Sequence, residues 1–198
     1  MLSGNQPIDP LLPFFPPAQA ENLGRFALKY TTQVAPEDWN ESLLRNIGYI
    51  LIYCRRYGQG ADLFTKLLAR LPNNPDFLNL KALAMLNSRM PESIMEAEPI
   101  LRGIVERYPE TAMYRFNFAV ALSLLGRDEE AAAELITTIK TGYLSMFPNY
   151  DLEADPFFHH TRDNRPDLMD QVRAQLKGST QVATQSPASF VASVPASL

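Results

Sequence analysis

The residues that could bind a metal ion are poorly placed to do so. The chain contains two histidines, His159 and His160, and they are adjacent. Neighbouring residues on a helix point about 100° apart, whereas two helical ligands of one metal ion need a spacing of three or four residues. Asp155 and Asp163 lie near enough in sequence to add oxygen ligands, but we favour the interpretation that the histidines are exposed residues of a terminal segment. We therefore predict no metal site.

Nucleophilic chemistry is equally poorly supported. Cys54 is the single cysteine, which excludes a disulfide framework and nearly excludes a cysteine-based zinc site. Arg55 and Arg56 follow it and would lower the pKa of the thiol, but no histidine is near in sequence, and we interpret Cys54 as a small core residue. The glycines form neither a GxGxxG motif nor a P-loop. No combination of residues indicates an enzyme or a cofactor, and we predict neither.

Composition limits the remaining possibilities. The chain has 198 residues, 46% of them hydrophobic, and a net charge of -4. This length suits one domain or a short repeat array, and the acidic balance argues against nucleic acid as a partner. The apolar run Phe116–Leu125 is far shorter than the roughly 18 residues that span a membrane, and it contains Asn117 and Ser123. Because it is apolar almost all the way round, it predicts a helix packed on two faces.

Three regions differ in composition. Residues 1–17 are rich in proline and predict an extended arm. Residues 18–177 carry nearly all the helical periodicity, whereas residues 178–198 are small and uncharged, which is typical of a disordered tail. Residues 1–20 contain no lysine or arginine and are broken by prolines, unlike a signal peptide. We therefore expect a cytoplasmic protein.

The elements that must position any functional residue are helices. Periodicity and the prolines and glycines between segments predict them at residues 20–34, 38–56, 59–71, 75–89, 92–108, 111–125, 128–141 and 165–177. Connections this short make neighbouring helices antiparallel. Pro99 lies inside one predicted helix, where it would remove a hydrogen bond. Either that helix begins near Glu98 or it is kinked there, and we favour the first alternative because proline suits a first turn.

The helix pairs repeat. On the second helix of each pair, spacings of four, three and five separate Gly60, Phe64, Leu67 and Pro72, then Ala97, Leu101, Ile104 and Pro109, then Ala131, Leu135, Thr138 and Tyr143. On the first helices, Gly48, Ala82 and Ala119 are equivalent. The steps are 34 or 37 residues, which a three-residue insertion near "NSRMPESIME" explains. Small residues at these positions let two helices cross closely, while large residues at the flanking turns fill the grooves.

This pattern resembles the tetratricopeptide repeat (TPR) family, whose unit is a helix–turn–helix of 34 residues. The resemblance covers three repeats, at about residues 41–74, 75–111 and 112–145, with helical caps at 20–34 and 151–177. It departs from the family at Gly60, where alanine is usual, and at Tyr143, where proline is usual. The apolar stripe of residues 20–34 includes Phe26 and Tyr30. The resemblance implies an all-α fold, a short right-handed α-solenoid with no sheet; the alternative is a non-repetitive helical bundle.

A solenoid of this family presents a concave groove lined mainly by the first helices. The register places the following residues in it: Arg45, Tyr49, Ile52, Tyr53, Asn79, Leu83, Leu86, Met113, Phe116, Val120 and Leu124. Family members that grip a peptide carboxylate use lysine, arginine and asparagine in the groove, and here only Arg45 and Asn79 fit. The groove is apolar and aromatic, which suits a hydrophobic segment. Alternatively, the capping helices or the chain's own "PLLPFFPP" segment cover it.

These observations predict a non-catalytic protein–protein interaction module, such as an adaptor, assembly factor or chaperone. Its size and capping are similar in architecture to the small TPR chaperones of bacterial secretion systems. The expected partner is a protein or peptide with a hydrophobic segment, with no nucleic acid and no membrane span. A homo- or hetero-oligomer is possible. The alternative function is that of a structural subunit, whose N-terminal arm or C-terminal tail docks on a neighbour in a larger assembly.

Overall fold

The computed structural model describes residues 17–33, 40–146 and 151–184. About 80% of the described residues are helical, and none of them lies in a strand. The helices are α1 (Pro17–Gln33), α2 (Glu41–Tyr53), α3 (Tyr57–Arg70), α4 (Pro75–Ser88), α5 (Pro91–Arg107), α6 (Ala112–Leu124), α7 (Asp128–Lys140), α8 (His159–Asn164) and α9 (Pro166–Thr184). A 3-10 turn covers Tyr143–Met146. The all-α prediction is confirmed.

Helix boundaries follow local signals that the sequence displays. Asn40 caps α2, its side chain accepting a hydrogen bond from the backbone N–H of Leu43. Asn74 caps α4 in the same way, and Pro75 occupies the first turn, where proline has no hydrogen bond to lose. The connections between α2 and α7 are therefore close to those predicted.

The helices stack in antiparallel pairs. We call α2, α4 and α6 the first helices, and α3, α5 and α7 the second helices. The first helix α4 packs against α3 and α5, and also against the first helices on either side, α2 and α6. Every residue of α6 from Phe116 to Ser123 is buried. The prediction that this apolar run is packed on two faces is confirmed.

Pro99 corrects one predicted boundary. We expected a helix beginning near Glu98, but α5 begins at Pro91 and continues through Pro99 to Arg107. Pro91 provides the helix start that the prediction assigned to the later proline. Pro99 and Met95, whose carbonyl loses its partner, are both on the exposed side of α5. A carbonyl on this side can bond to water, so the interior proline is tolerated.

The two ends of the chain depart from prediction in other ways. α9 continues to Thr184, seven residues into the segment predicted as a disordered tail. Extending an existing helix adds one hydrogen bond for each residue ordered. The helix can therefore continue into residues whose composition would not start one. The rest of that tail, 185–198, and arm residues 1–16 lie outside the described residues. In α1, Tyr30 packs against the core, but Phe26 is exposed, contrary to the predicted stripe.

Two glycines of the first repeat pack very differently. A Cβ placed on Gly48 would lie 2.0 Å from Cζ of Phe64, a fully buried ring of α3. The backbone of α2 can approach this ring only because position 48 has no side chain. A Cβ placed on Gly60 would lie 3.5 Å from Cγ1 of Ile52, an ordinary contact. The departure from the family's alanine at position 60 is therefore not required by packing.

Candidate binding surface

The structure divides the predicted groove residues into two groups. Six are at most 2% exposed and belong to the core: Ile52, Asn79, Leu83, Leu86, Phe116 and Val120. Five retain accessible surface: Arg45, Tyr49, Tyr53, Met113 and Leu124. The first group is buried because adjacent first helices pack directly on one another and because the ring of Phe158 covers Phe116. We call the side of α2, α4 and α6 that carries these eleven residues the inner face. Only the second group can contact a partner without rearrangement.

A polar line crosses the N-terminal ends of the first helices. Nη2 of Arg45 on α2 lies 3.1 Å from Oδ2 of Asp76 on α4. Tyr114 on α6 donates its hydroxyl to Oδ1 of the same carboxylate at 2.7 Å. Burial, followed by this hydrogen bond, raises the pKa of Tyr114 well above its usual value. The phenol is therefore a constant donor, and Asp76 links three repeats.

A second polar contact involves Asn79, one of the two residues that fit a carboxylate grip. Asn117 on α6 donates from Nδ2 to Oδ1 of Asn79 on α4 at 2.9 Å. Because Asn79 is 1% exposed, it contacts its own neighbouring helix and not the solvent. Arg45, the other residue that fits a carboxylate grip, is paired with Asp76. The geometry therefore gives no support to a carboxylate site.

The inner face of the third repeat is covered by the chain itself. The ring of Phe116 lies with its centroid 6.1 Å from that of Tyr143 and 5.9 Å from that of Phe158. The helical register predicts that Phe116 faces a partner, but this side chain is 1% exposed. Both rings that pack on it come from the region after α7. The C-terminal region therefore covers Phe116.

The covering segment is residues Asp151–Phe158, which we call the strap. Its side chains Leu152, Phe157 and Phe158 are buried, and so is Asp155. Within the strap, the side chain of Asp155 accepts a hydrogen bond from the backbone N–H of Phe157 at 2.8 Å. A segment of irregular backbone thus buries its three large apolar side chains against the helical array, as a bound peptide would.

Arg89 holds the strap from the end of α4. Its Nη1 donates to the carbonyl of Pro156 at 3.4 Å, and its guanidinium carbon lies 3.6 Å from the ring centroid of Phe157. A cation over an aromatic face at this distance is attractive, more so when partly desolvated. Burial lowers the pKa of Arg89, and the nearby carboxylate of Asp155 opposes this shift. Arg89 stays charged, because its ordinary pKa is far above neutrality.

A separate polar cluster anchors α8, just after the strap. Oγ1 of Thr161 lies 2.7 Å from Oδ1 of Asp128 and 2.8 Å from Oγ of Ser123. Thr161, Asp128 and Ser123 are all buried. His160, which is half-buried, places Nδ1 3.1 Å from the same oxygen of Asp128. This cluster ties the C-terminal helices to the junction of α6 and α7 without using any strap residue.

The residues considered for chemistry are not brought together. His159 is exposed, with Nδ1 2.8 Å from the carbonyl of Pro156. The described part of the chain contains no group of three or more His, Cys, Asp or Glu residues that could hold a metal ion. Cys54 is half-buried, not a core residue, and burial raises the pKa of its thiol more than Arg56 lowers it. Arg56 thus lowers the pKa of the thiol as expected, but burial outweighs this contribution.

The strap itself is what sequence reasoning missed. We treated its residues as part of a capping helix, although Phe157 and Phe158 are adjacent and share no helical face. Two neighbouring aromatic residues outside a periodic pattern were the available signal.

No helix within the described ranges is long and apolar enough to cross a membrane.

Stacked antiparallel helix pairs whose first helices pack on one another define a helical-repeat protein. Comparison with solved structures agrees: MamA, a TPR-like protein, has a similar fold. MamA from MSR-1 matches with a TM-score of 0.53 and 17% identity over 86% of this chain and 92% of its own. MamA from AMB-1 matches with 0.52 and 18% over 83% and 91%, and a mutant MamA with 0.52 and 17% over 86% and 88%. No family model and no curated protein matches the sequence.

Proposed function

We propose that this chain is a non-catalytic protein–protein interaction module that holds a hydrophobic segment of a partner protein on the inner face of its first helices. One observation carries the proposal: the surface around Phe116 and Arg89 already buries the two phenylalanines of an irregular segment, the strap. A surface that buries two consecutive aromatic residues of its own chain has the shape and polarity that a partner's hydrophobic segment needs. Adaptor, assembly-factor and chaperone roles all use such a surface.

The accessible residues of the inner face lie on the first and third repeats. Tyr49 and Tyr53 are four residues apart on α2, so they lie on the same side of the helix, and both keep accessible surface. Arg45, one turn before Tyr49, adds a charge at the edge. Tyrosine and arginine are enriched among the residues that dominate binding energy at interfaces. Met113 and Leu124 add accessible apolar surface on α6.

Affinity capture with quantitative mass spectrometry tests this proposal, with the full chain as bait. The variant Tyr49→Ala/Tyr53→Ala should lose partners that the unchanged chain retains. Met95→Ala is the matched control, because Met95 is 65% exposed on a second helix, α5. Circular dichroism should stay helical for both. An identical set of captured proteins for both variants would contradict the proposal. Phe116→Arg is not a suitable test, because it would place a charge in the core.

A further inference from the structure

The three turns that join a first helix to its second helix share one backbone feature. Arg55, Arg89 and Gly126 lie in these turns, with positive φ angles of 60°, 59° and 72°. They are separated by 34 and 37 residues, the same steps as the small residues of the first helices, so they are equivalent positions of the repeat. Glycine is the usual residue for this left-handed conformation, which is unfavourable for residues with a Cβ. Two of the three turns thus carry an arginine where glycine would be accommodated more easily.

The C-terminal region covers two of these equivalent positions. At the third turn, a Cβ placed on Gly126 would lie 3.1 Å from Cε1 of His160. At the second turn, Nη1 of Arg89 donates to the carbonyl of Pro156, and the guanidinium lies over the ring of Phe157. The arginine of the second turn therefore has a defined ligand within the chain, which is an aromatic ring together with the carbonyl of the residue before it.

Arg55, the equivalent residue of the first repeat, is left open. Its side chain is exposed and forms no hydrogen bond, ion pair or ring contact with any residue that the structure describes. Tyr57 lies within reach of both turn arginines: burial raises the pKa of its hydroxyl, and the charges of Arg55 and Arg89 both oppose this rise. Tyr53, two residues before Arg55, keeps accessible surface. The first turn thus presents the group that the second turn uses, without a ligand from the described chain.

Only part of the strap has a counterpart that would fit at Arg55. In the strap, Phe158 packs on Phe116, and the residue equivalent to Phe116 one repeat earlier is Asn79. Asn79 is 1% exposed and accepts a hydrogen bond from Asn117, so it offers no surface to a second ring. The ligand that matches the first turn is therefore a single aromatic residue with a carbonyl before it. Proline at the preceding position, as in the strap, favours the extended backbone of such a segment.

We propose that Arg55 binds a proline–aromatic dipeptide of the partner's segment, with its guanidinium over the aromatic ring and an N–H donated to the proline carbonyl. This inference rests on the proposed function and adds the chemistry of the partner. Tyr49 and Tyr53 contact the rest of the segment, and Arg55, at the end of the same helix, selects the aromatic residue. Arginine suits this role because the flat face of its guanidinium stacks on a ring while the edge donates hydrogen bonds.

A titration of the full chain with a neutral peptide, acetyl-Ala-Ala-Pro-Phe-Ala-Ala-amide, followed by NMR, tests the proposal. Arg55→Gly removes the side chain and suits the left-handed backbone, so this variant should be at least as stable as the unchanged chain. It should bind the peptide about tenfold more weakly, as expected for the loss of a cation–π contact and a hydrogen bond. Arg107→Ala is the matched control, because it removes the same charge from an exposed position of α5. No binding to the unchanged chain, or an equal loss in both variants, would overturn the proposal.

A change in the peptide tests the aromatic contact separately. Leucine in place of phenylalanine keeps an apolar side chain but removes the ring. This peptide should bind the unchanged chain about threefold more weakly or worse, and it should bind Arg55→Gly as the phenylalanine peptide does. Equal affinity of the two peptides for the unchanged chain would refute a contact between the guanidinium and the ring.

The capture experiment with Tyr49→Ala/Tyr53→Ala separates this result from the proposed function. If that variant loses partners but peptide binding does not depend on Arg55, the interaction role stands and the assignment of Arg55 is wrong. If peptide binding depends on Arg55 and on the aromatic ring while capture is unchanged, the assignment of Arg55 stands and the proposed role of the α2 tyrosines fails.

Discussion

Replacing Gly48 with alanine should destabilise the protein, whereas the same replacement at Gly60 should stabilise it. Both glycines are buried within helices of the first repeat. At position 48 the new Cβ would lie 2.0, 2.6 and 2.8 Å from Cζ, Cε2 and Cε1 of Phe64. At position 60 its nearest neighbours would be 3.5 to 3.7 Å away. The substitution is the same at both positions, so the difference between the two changes in the free energy of unfolding reports on packing alone.

The magnitudes follow from two opposing effects. Alanine in place of a helical glycine gains roughly 0.5–1 kcal/mol, mainly by restricting the unfolded chain. Forcing extra volume into a packed core costs typically about 1–3 kcal/mol. The upper end applies at position 48, because Phe64 is 0% exposed and its ring also packs near that of Phe77. The expected net changes are a loss of about 2 kcal/mol for Gly48→Ala and a gain of about 0.5–1 kcal/mol for Gly60→Ala.

Urea unfolding followed by circular dichroism measures these changes in the free energy of unfolding. The two variants should shift the midpoint in opposite directions with little change in slope. Phe64→Leu combined with Gly48→Ala provides the control, because it removes the ring carbons that the new Cβ would meet. The double variant should be more stable than the sum of the single changes predicts. Additive single effects, or a Gly48→Ala variant as stable as Gly60→Ala, would refute the packing argument.

Three further predictions concern the C-terminal region and α5. Thr161→Val should lower the free energy of unfolding by about 1–3 kcal/mol, because it leaves the buried carboxylate of Asp128 without its hydroxyl donor; a urea midpoint equal to that of the unchanged chain would contradict this. Pro99→Ala should raise thermal stability, by up to about 3 kcal/mol, by restoring a helical hydrogen bond; lower stability would mean that α5 is adapted to the proline. The pKa of Glu153 is lowered, chiefly by its hydrogen bond from Arg173. Its small contribution to stability is therefore present above pH 4.5, the usual pKa, and is lost as the pH falls through the lower folded value. The stability difference between the unchanged chain and Arg173→Met should disappear below that range, and a difference independent of pH would show that the ion pair contributes nothing.

Most of the helical layout could be predicted from sequence because its signals are local. Asn74 and Pro75 start α4 with contacts inside a single turn, and the repeated spacing of small residues pairs each helix with its neighbour. Local signals could not show that Pro99 lies in the interior of α5 and not at its start. Whether a helix tolerates an interior proline depends on which side faces solvent, and this is set by the packing of α5 against α4 and α6.

At the candidate binding surface, too, the sequence could not predict which residues are buried by distant parts of the chain. Sequence register correctly assigned Tyr49 and Phe116 to first helices, and it could not tell that one keeps accessible surface while the other is buried. The covering ring, Phe158, is 42 residues away from Phe116, and no local pattern connects them. The sequence by itself determined the helices and their pairing, because these depend on neighbours along the chain. Only the tertiary structure decided which residues of the first helices stay accessible, because burial at Phe116 depends on a distant segment folding back.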